Sequence, residues 1–353
     1  MHLRARALLA LCLVTVACSS ETVTTTPPAS ETPQGDGGTT PPGPDPDVVT
    51  GTFAKIDLQS TFDKWSVSDV YAAGDGDVYV STRFDISVST VFHYDGTKFT
   101  EDLLDQGGSS LWGVDDRVWS FGATTYRRSK GKWAVDGDTY GIGDMAGASG
   151  TDVWGLSNNG MYTYRNKGTG FAAATGPAEG PKDGTALFAK AADQVWFTWE
   201  YVNDFPPKDQ GHLYLWNGKA WQDKTASLPR VMLDARRSFS GFGGSAADDV
   251  WAIWGRAAEK DAVSSLAHWD GATWTMVDAP GGAWGCKLAS VYASGPKNAW
   301  LSGSGGCLFH FDGTGWSKVS SGVSTSLFKV HGSGPRNVWI ATEGKSVLRL
   351  EPK

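Results

Sequence analysis

The sequence predicts an all-β fold: a seven-bladed β-propeller of four-stranded antiparallel blades, closed by its N-terminal strand. Three observations predict it. A Val-Trp pair or a close variant recurs seven times, at Val78-Tyr79, Val118-Trp119, Val153-Trp154, Val195-Trp196, Val250-Trp251, Ala299-Trp300 and Val338-Trp339. The steps between pairs run from 35 to 55 residues, which brackets the length of a propeller blade. The two chain ends also complement each other. The last unit stops after a third strand at Ser346 to Leu350, while Phe53-Ala54-Lys55-Ile56 aligns with Trp316-Ser317-Lys318-Val319 and supplies the missing fourth strand.

Residues 1–17 read as a secretory signal, with Arg4 and Arg6 before the apolar run Ala7 to Ala17. That run is too short for a stable bilayer span. Val16-Ala17-Cys18 resembles the end of a bacterial lipobox, with Thr15 where Leu, Val or Ile is usual. The expectation is lipidation of Cys18; the alternative is ordinary cleavage and release. Ser19 and Ser20 follow the Cys, which by the same resemblance directs the protein to the outer membrane. Residues 18–50 are rich in Thr, Pro, Ser and Gly and nearly devoid of large apolar side chains. Such a segment cannot offset its ordering entropy, so it reads as a disordered tether.

Residues 51–353 form the propeller. An apolar residue stands eight positions before the Val of the pair in six units: Val70, Met145, Leu187, Phe242, Val291 and Val330. The Val118 unit is one residue shorter and uses Leu111. Small-residue turns separate these two strands. A third strand then ends in an aromatic-Asp-Gly or -Asn-Gly turn, at Tyr94-Asp95-Gly96, Trp216-Asn217-Gly218, Trp269-Asp270-Gly271 and Phe311-Asp312-Gly313. Asn and Asp followed by Gly suit a hairpin because both positions accept positive φ. An aromatic opens the fourth strand three residues later: Phe99, Trp221, Trp274 and Trp316. The turns before Trp133 and Phe171 are degenerate forms. Most of the 17 Trp residues hold repeat positions, as expected for packing between blades.

Charge and reactive residues exclude several classes. The net charge is −7 and the pI about 5.4, with no Lys/Arg-rich run, so no nucleic acid partner is expected. Outside Cys12 and Cys18, only Cys286 and Cys307 remain. An even pair in an exported domain predicts a disulfide, with two buried thiols as the alternative. No spacing predicts a metal site or a cofactor. Among the six His, His93, His268 and His310 share one repeat position and read as packing or turn hydrogen bonds. Asp270 to Trp274 looks like the Asp-box of sialidase-type propellers with one residue missing, and such a box is a hairpin element rather than an active site.

The Asp-Val-Trp and Asp-Gly-x-x-Trp marks of residues 53–353 resemble those of secreted bacterial lipoproteins with β-propeller repeats. That resemblance implies the fold and a surface location. A more distant similarity, without a specific motif match, is to the propeller lipoprotein of the outer-membrane protein assembly machine, which implies a scaffold role.

Insertions collect in two connection types, between second and third strands (Glu200 to Gly211, Gly255 to Ser264) and between blades (Ala172 to Gly184, Gln222 to Gly241). Both emerge on one rim of an antiparallel blade, so that rim is the expected binding face. Trp199 and Trp254 each stand three residues after a repeat Trp, and Tyr201, Arg256, Arg236 and Arg237 lie nearby. These six are the ligand-binding candidates; wedging of the loops is the alternative for the two Trp. The function expected is a non-enzymatic, surface-tethered binding or scaffold module. Its partner would be a cell-envelope protein or glycan, and its only membrane contact the lipid anchor. The alternative is a carbohydrate-active hydrolase or lyase using Glu200, Asp204, Tyr201 and His212.

Overall fold

The computed structural model describes residues 51–59, 65–83, 89–103, 108–137, 139, 141–177, 183–200, 212–233, 237–256 and 264–353. The signal at 1–17, the tether at 18–50 and Cys18 lie outside the described residues. None of the described helices is long and apolar enough to cross a membrane.

The chain enters as β1 (Gly51–Asp57). The first blade is β2 (Ser66–Gly74), β3 (Asp77–Arg83), β4 (Val91–Tyr94) and β5 (Phe99–Leu103). The second is β6 (Ser110–Val114), β7 (Arg117–Phe121), β8 (Tyr126–Ser129) and β9 (Lys132–Val135). The third is β10 (Ile142–Ser149), β11 (Asp152–Ser157), β12 (Thr163–Asn166) and β13 (Phe171–Ala174). The fourth is β14 (Asp183–Ala191), β15 (Gln194–Glu200), β16 (His212–Trp216) and β17 (Trp221–Asp223). The fifth is β18 (Arg237–Ala246), β19 (Asp249–Arg256), β20 (Ser265–Trp269) and β21 (Trp274–Val277). The sixth is β22 (Leu288–Gly295), β23 (Asn298–Gly303), β24 (Leu308–Phe311) and β25 (Trp316–Lys318). The seventh is β26 (Leu327–Gly334), β27 (Asn337–Thr342) and β28 (Ser346–Pro352), completed by β1. Each sheet is an antiparallel meander, and β1 pairs with β28 from Gly51↔Pro352 to Asp57↔Ser346. The first strand of each blade packs against that of the next, and β26 packs against β2, so the ring closes. Closure leaves no long unpaired edge.

Register explains the short second unit. In six blades the first strand carries two irregularities against its neighbour, such as those between Val67/Asp69 and Ala72/Gly74 in β2. Strand β6 pairs with β7 without a bulge, from Ser110↔Phe121 to Val114↔Arg117. The residue missing from the repeat is thus the one that bulges at the second position elsewhere.

Among the described residues the core divides into seven clusters, one at each blade boundary. Four repeat Trp residues slot between the two turn-flanking aromatics of the next blade. Trp154 meets Trp216 and Trp221 at 5.3 and 5.1 Å, and Trp196 meets Trp269 and Trp274 at 5.3 and 5.4 Å. Trp251 meets Phe311 and Trp316 at 5.1 and 5.2 Å; Trp339 meets Tyr94 and Phe99 at 5.3 and 5.8 Å. Trp300 meets Phe53 of β1 at 5.3 Å, so the N-terminal strand supplies the fourth-strand aromatic of the seventh blade. Each such Trp contributes about 4–6 kcal/mol of gross transfer free energy.

In four blades the polar residue before the pair has a partner in the third strand. His93 donates to Asp77 at 2.7 Å, His268 to Asp249 at 2.7 Å and His310 to Asn298 at 2.5 Å. Their rings lie over Tyr79, Trp251 and Trp300 at 4.6, 4.1 and 4.3 Å. In the third blade Arg165 takes this place, making two bonds to Asp152 at 2.6 and 2.7 Å and stacking on Trp154. These His are structural, as the repeat position implies. Cys286 and Cys307 are disulfide-bonded, with Cα atoms 6.5 Å apart, tying the approach to β22 to the start of β24.

Candidate functional site

The first strands line a central cavity of about 700 Å³. Its chemistry follows from three successive rows, counted from the apolar mark of each unit. The residue two past the mark is always small: Ala72, Gly113, Gly147, Ala189, Gly244, Ala293 and Gly332. The residue one past it is aromatic in five blades: Tyr71, Trp112, Phe188, Tyr292 and His331. These rings lie over the small residue of the following blade. A Cβ at Gly113 would fall 2.5 Å from Tyr71, one at Gly244 2.8 Å from Phe188, and one at Gly332 2.7 Å from Tyr292. His331 lies between Tyr71 and Tyr292 at 4.6 and 5.4 Å, and its Nδ1 accepts the Ala72 amide at 3.1 Å.

The residue before the mark bridges blades. Asp69 accepts the amides of Val70 at 2.7 Å and Leu111, in the next blade, at 2.9 Å. Asp144 repeats this with Met145 at 2.9 Å and Leu187 at 2.7 Å. The Ser290 hydroxyl donates to the Val330 carbonyl at 3.4 Å. Lys329 occupies this row in the seventh blade. Burial pushes the carboxyl of Asp144 up to about 6, against its backbone hydrogen bonds and Lys329; Asp69 is raised for the same reason. Burial, then the ammonium groups of Lys329 and Lys190, push the His331 imidazole down to about 3, so it is neutral at pH 7. Lys190 is surrounded by protein yet reached by solvent, and desolvation lowers its pKa. Among the described residues no group of three or more His, Cys, Asp or Glu is placed to hold a metal.

The six ligand candidates fare differently. Trp254 is buried, at 1% exposure, beside Leu228, Met232 and Phe239 at the boundary between the fourth and fifth blades. This corrects its reading as a ligand-facing residue. Three residues along a strand reverse the face, so Trp251 packs toward the sixth blade and Trp254 toward the fourth. Both faces of a blade are covered, and neither Trp reaches the rim. Trp199, Arg237 and Arg256 lie in β15, β18 and β19, with Arg237 directly opposite Arg256, but their side chains lie outside the described set. Tyr201 and Arg236 lie outside the described residues. Of the catalytic alternative, Tyr201, Asp204 and the Glu200 side chain also lie outside. His212 stacks on Tyr214 at 6.2 Å and contacts the Thr225 hydroxyl at 3.4 Å, a link across its own hairpin.

The rims differ in character. Val135, Met161, Tyr162, Val231 and Phe328 are the exposed large apolar side chains among the described residues. Each lies on the rim made by second-to-third-strand and inter-blade connections. The opposite rim, made by the tight turns, presents exposed charges of both signs, among them Asp95, Asp248, Asp270 and Asp312 beside Lys98, Lys219, Lys297 and Arg336. There Asp95, Asp270 and Asp312 each accept backbone amides two and three residues on, and the following Gly96, Gly271 and Gly313 have φ of 96°, 94° and 89°.

No protein-family model matches the sequence, and no curated protein matches it. Solved structures do. One is YCF48 bound to D1 peptide, with a TM-score of 0.59 at 15% identity, covering 86% of this chain and 98% of that one. A streptogramin B lyase gives 0.63 at 11% identity over 85% of this chain and 98% of that one. The Pan2 WD40 domain of Neurospora crassa gives 0.61 at 9% identity over 87% and 98%. At these identities the likeness is one of fold.

Proposed function

We propose that this chain is a non-enzymatic binding or scaffold module, lipid-anchored through Cys18 in the cell envelope and presenting its loop rim to a partner protein. The observation that carries the reading is the segregation of surface chemistry. All five exposed large apolar side chains of the described residues share the loop rim, while turns charged with both signs cover the other. Met, Tyr and Phe on a rigid scaffold suit a protein hot spot, and the charged rim stays hydrated. A propeller of the same fold, YCF48, has been solved with a peptide bound, so the scaffold accommodates such a partner. The tether at 18–50 would hold the rim clear of the membrane. A glycan partner is the finer alternative on the same face.

The test pairs two variants. Met161→Asp with Phe328→Asp is expected to abolish capture of the envelope partner without lowering the melting temperature. Cys18→Ser is expected to release the protein from the membrane fraction. Capture that survives the apolar double variant would refute the loop rim, and membrane retention of Cys18→Ser would refute the anchor.

A further inference from the structure

Six Asp, Lys and His side chains line the central cavity, and they fall into two groups. The three carboxylates are engaged by backbone amides of the following blade: Asp69 by Leu111, Asp144 by Leu187, and Asp115 by Gly150 at 2.8 Å. His331 is likewise engaged, accepting the Ala72 amide. The two ammonium groups, Lys190 and Lys329, have no hydrogen-bond or ion-pair partner among the described residues. They stand on β14 and β26, on opposite sides of the ring, at different depths in the cavity. Both act electrostatically on His331, which lies at the level between them, and Lys329 also acts on Asp69 and Asp144. The walls at that level are the rings of Tyr71, Trp112, Phe188 and Tyr292.

We propose that the central cavity is a binding site for a small organic anion, with an oxyanion head on Lys190 and a planar apolar body against the aromatic walls between Lys190 and Lys329. A cavity of about 700 Å³ is the size of a small-molecule site. The Lys190 ammonium, which has no carboxylate partner among the described residues, gains from an anion, which agrees with its lowered pKa. This site does not depend on the partner at the loop rim.

Calorimetric titration of the full chain tests it, with benzoate as the complete probe, inorganic phosphate as the head alone and benzyl alcohol as the body alone. Benzoate is expected to bind saturably, at least tenfold more tightly than either partial probe. Lys190→Met is expected to weaken it tenfold or more. Lys329 sits in the row of Asp69 and Asp144, so its variant is liable to perturb the fold. Lys190→Met, with an unchanged melting temperature, is therefore the decisive variant. The Met161→Asp and Phe328→Asp pair leaves benzoate binding intact. Absence of saturable benzoate binding, or binding unchanged in Lys190→Met, would overturn the proposal; phosphate binding as tightly as benzoate would overturn the role of the rings.

Discussion

Asp144 accepts the amide of Leu187 at 2.7 Å across the boundary between the third and fourth blades. Its other oxygen holds Met145 at 2.9 Å, so one buried carboxyl fixes the register of two first strands. Burial nonetheless raises its pKa from 3.8 to about 6. Between those values the folded chain binds more protons than the unfolded one. The stabilisation from this group is therefore complete below about pH 4 and is lost as the pH rises through about 6. A shift of about two units corresponds to about 3 kcal/mol. The stability difference between the native chain and Asp144→Asn, from denaturant unfolding, is expected to fall by up to that amount from pH 4 to pH 7 and then to level off. A difference that grows with pH would mean that the amides of Leu187 and Met145 outweigh burial.

Ring closure makes β1 indispensable. Phe53 fills the place against Trp300 that Trp316 fills against Trp251. Phe53→Ala is expected to cost about 3 kcal/mol, and removal of residues 51–58 to unfold the propeller cooperatively. Circular dichroism melting would detect both; a deletion variant with the native melting temperature would refute closure by this strand.

The aromatic-over-small pattern at the cavity wall predicts an overpacking penalty. Gly113→Ala places a methyl 2.5 Å from Tyr71 and 2.8 Å from the Arg117 carbonyl. A loss of about 1–3 kcal/mol is expected. The penalty should shrink when Tyr71→Ala is combined with it, and a double-mutant cycle measures that coupling.

The Cys286–Cys307 bridge closes a short loop, with a sequence separation of 21. Replacing both Cys by Ser is expected to cost about 3 kcal/mol. Calorimetry of the oxidised and reduced chain should show the same difference, and reduction should leave the double variant unchanged.

The fold was legible because its unit is written seven times. A Trp on an alternating strand, a polar residue just before it and an Asp-Gly turn after it specify the sheet and its neighbour contacts together. The closing strand was legible for the same reason, since Phe53 carries the mark that the last unit lacks. The cavity was less legible. Its aromatic row is broken by Ala146 and Gly243, so no repeat stands out there. Yet the unbroken Ala/Gly row from Ala72 to Gly332 was a usable sign of close approach between first strands. Trp254 misled because a Trp outside the repeat suggests a special role, whereas a propeller buries both faces of each blade. The shared bond of Asp69 to Leu111 and of Asp144 to Leu187 depends on a blade-to-blade register that sequence spacing does not express.

A partner is expected to meet the loop rim and not the turn rim. Site-specific photo-crosslinking in cells tests it most directly, with the reactive residue placed at Met161 or Phe328 on the loop rim and at Thr314 or Lys219 on the turn rim. Discrete adducts are expected from Met161 and Phe328 and none from Thr314 or Lys219. Adducts formed equally from both rims, or from the turn rim alone, would contradict it.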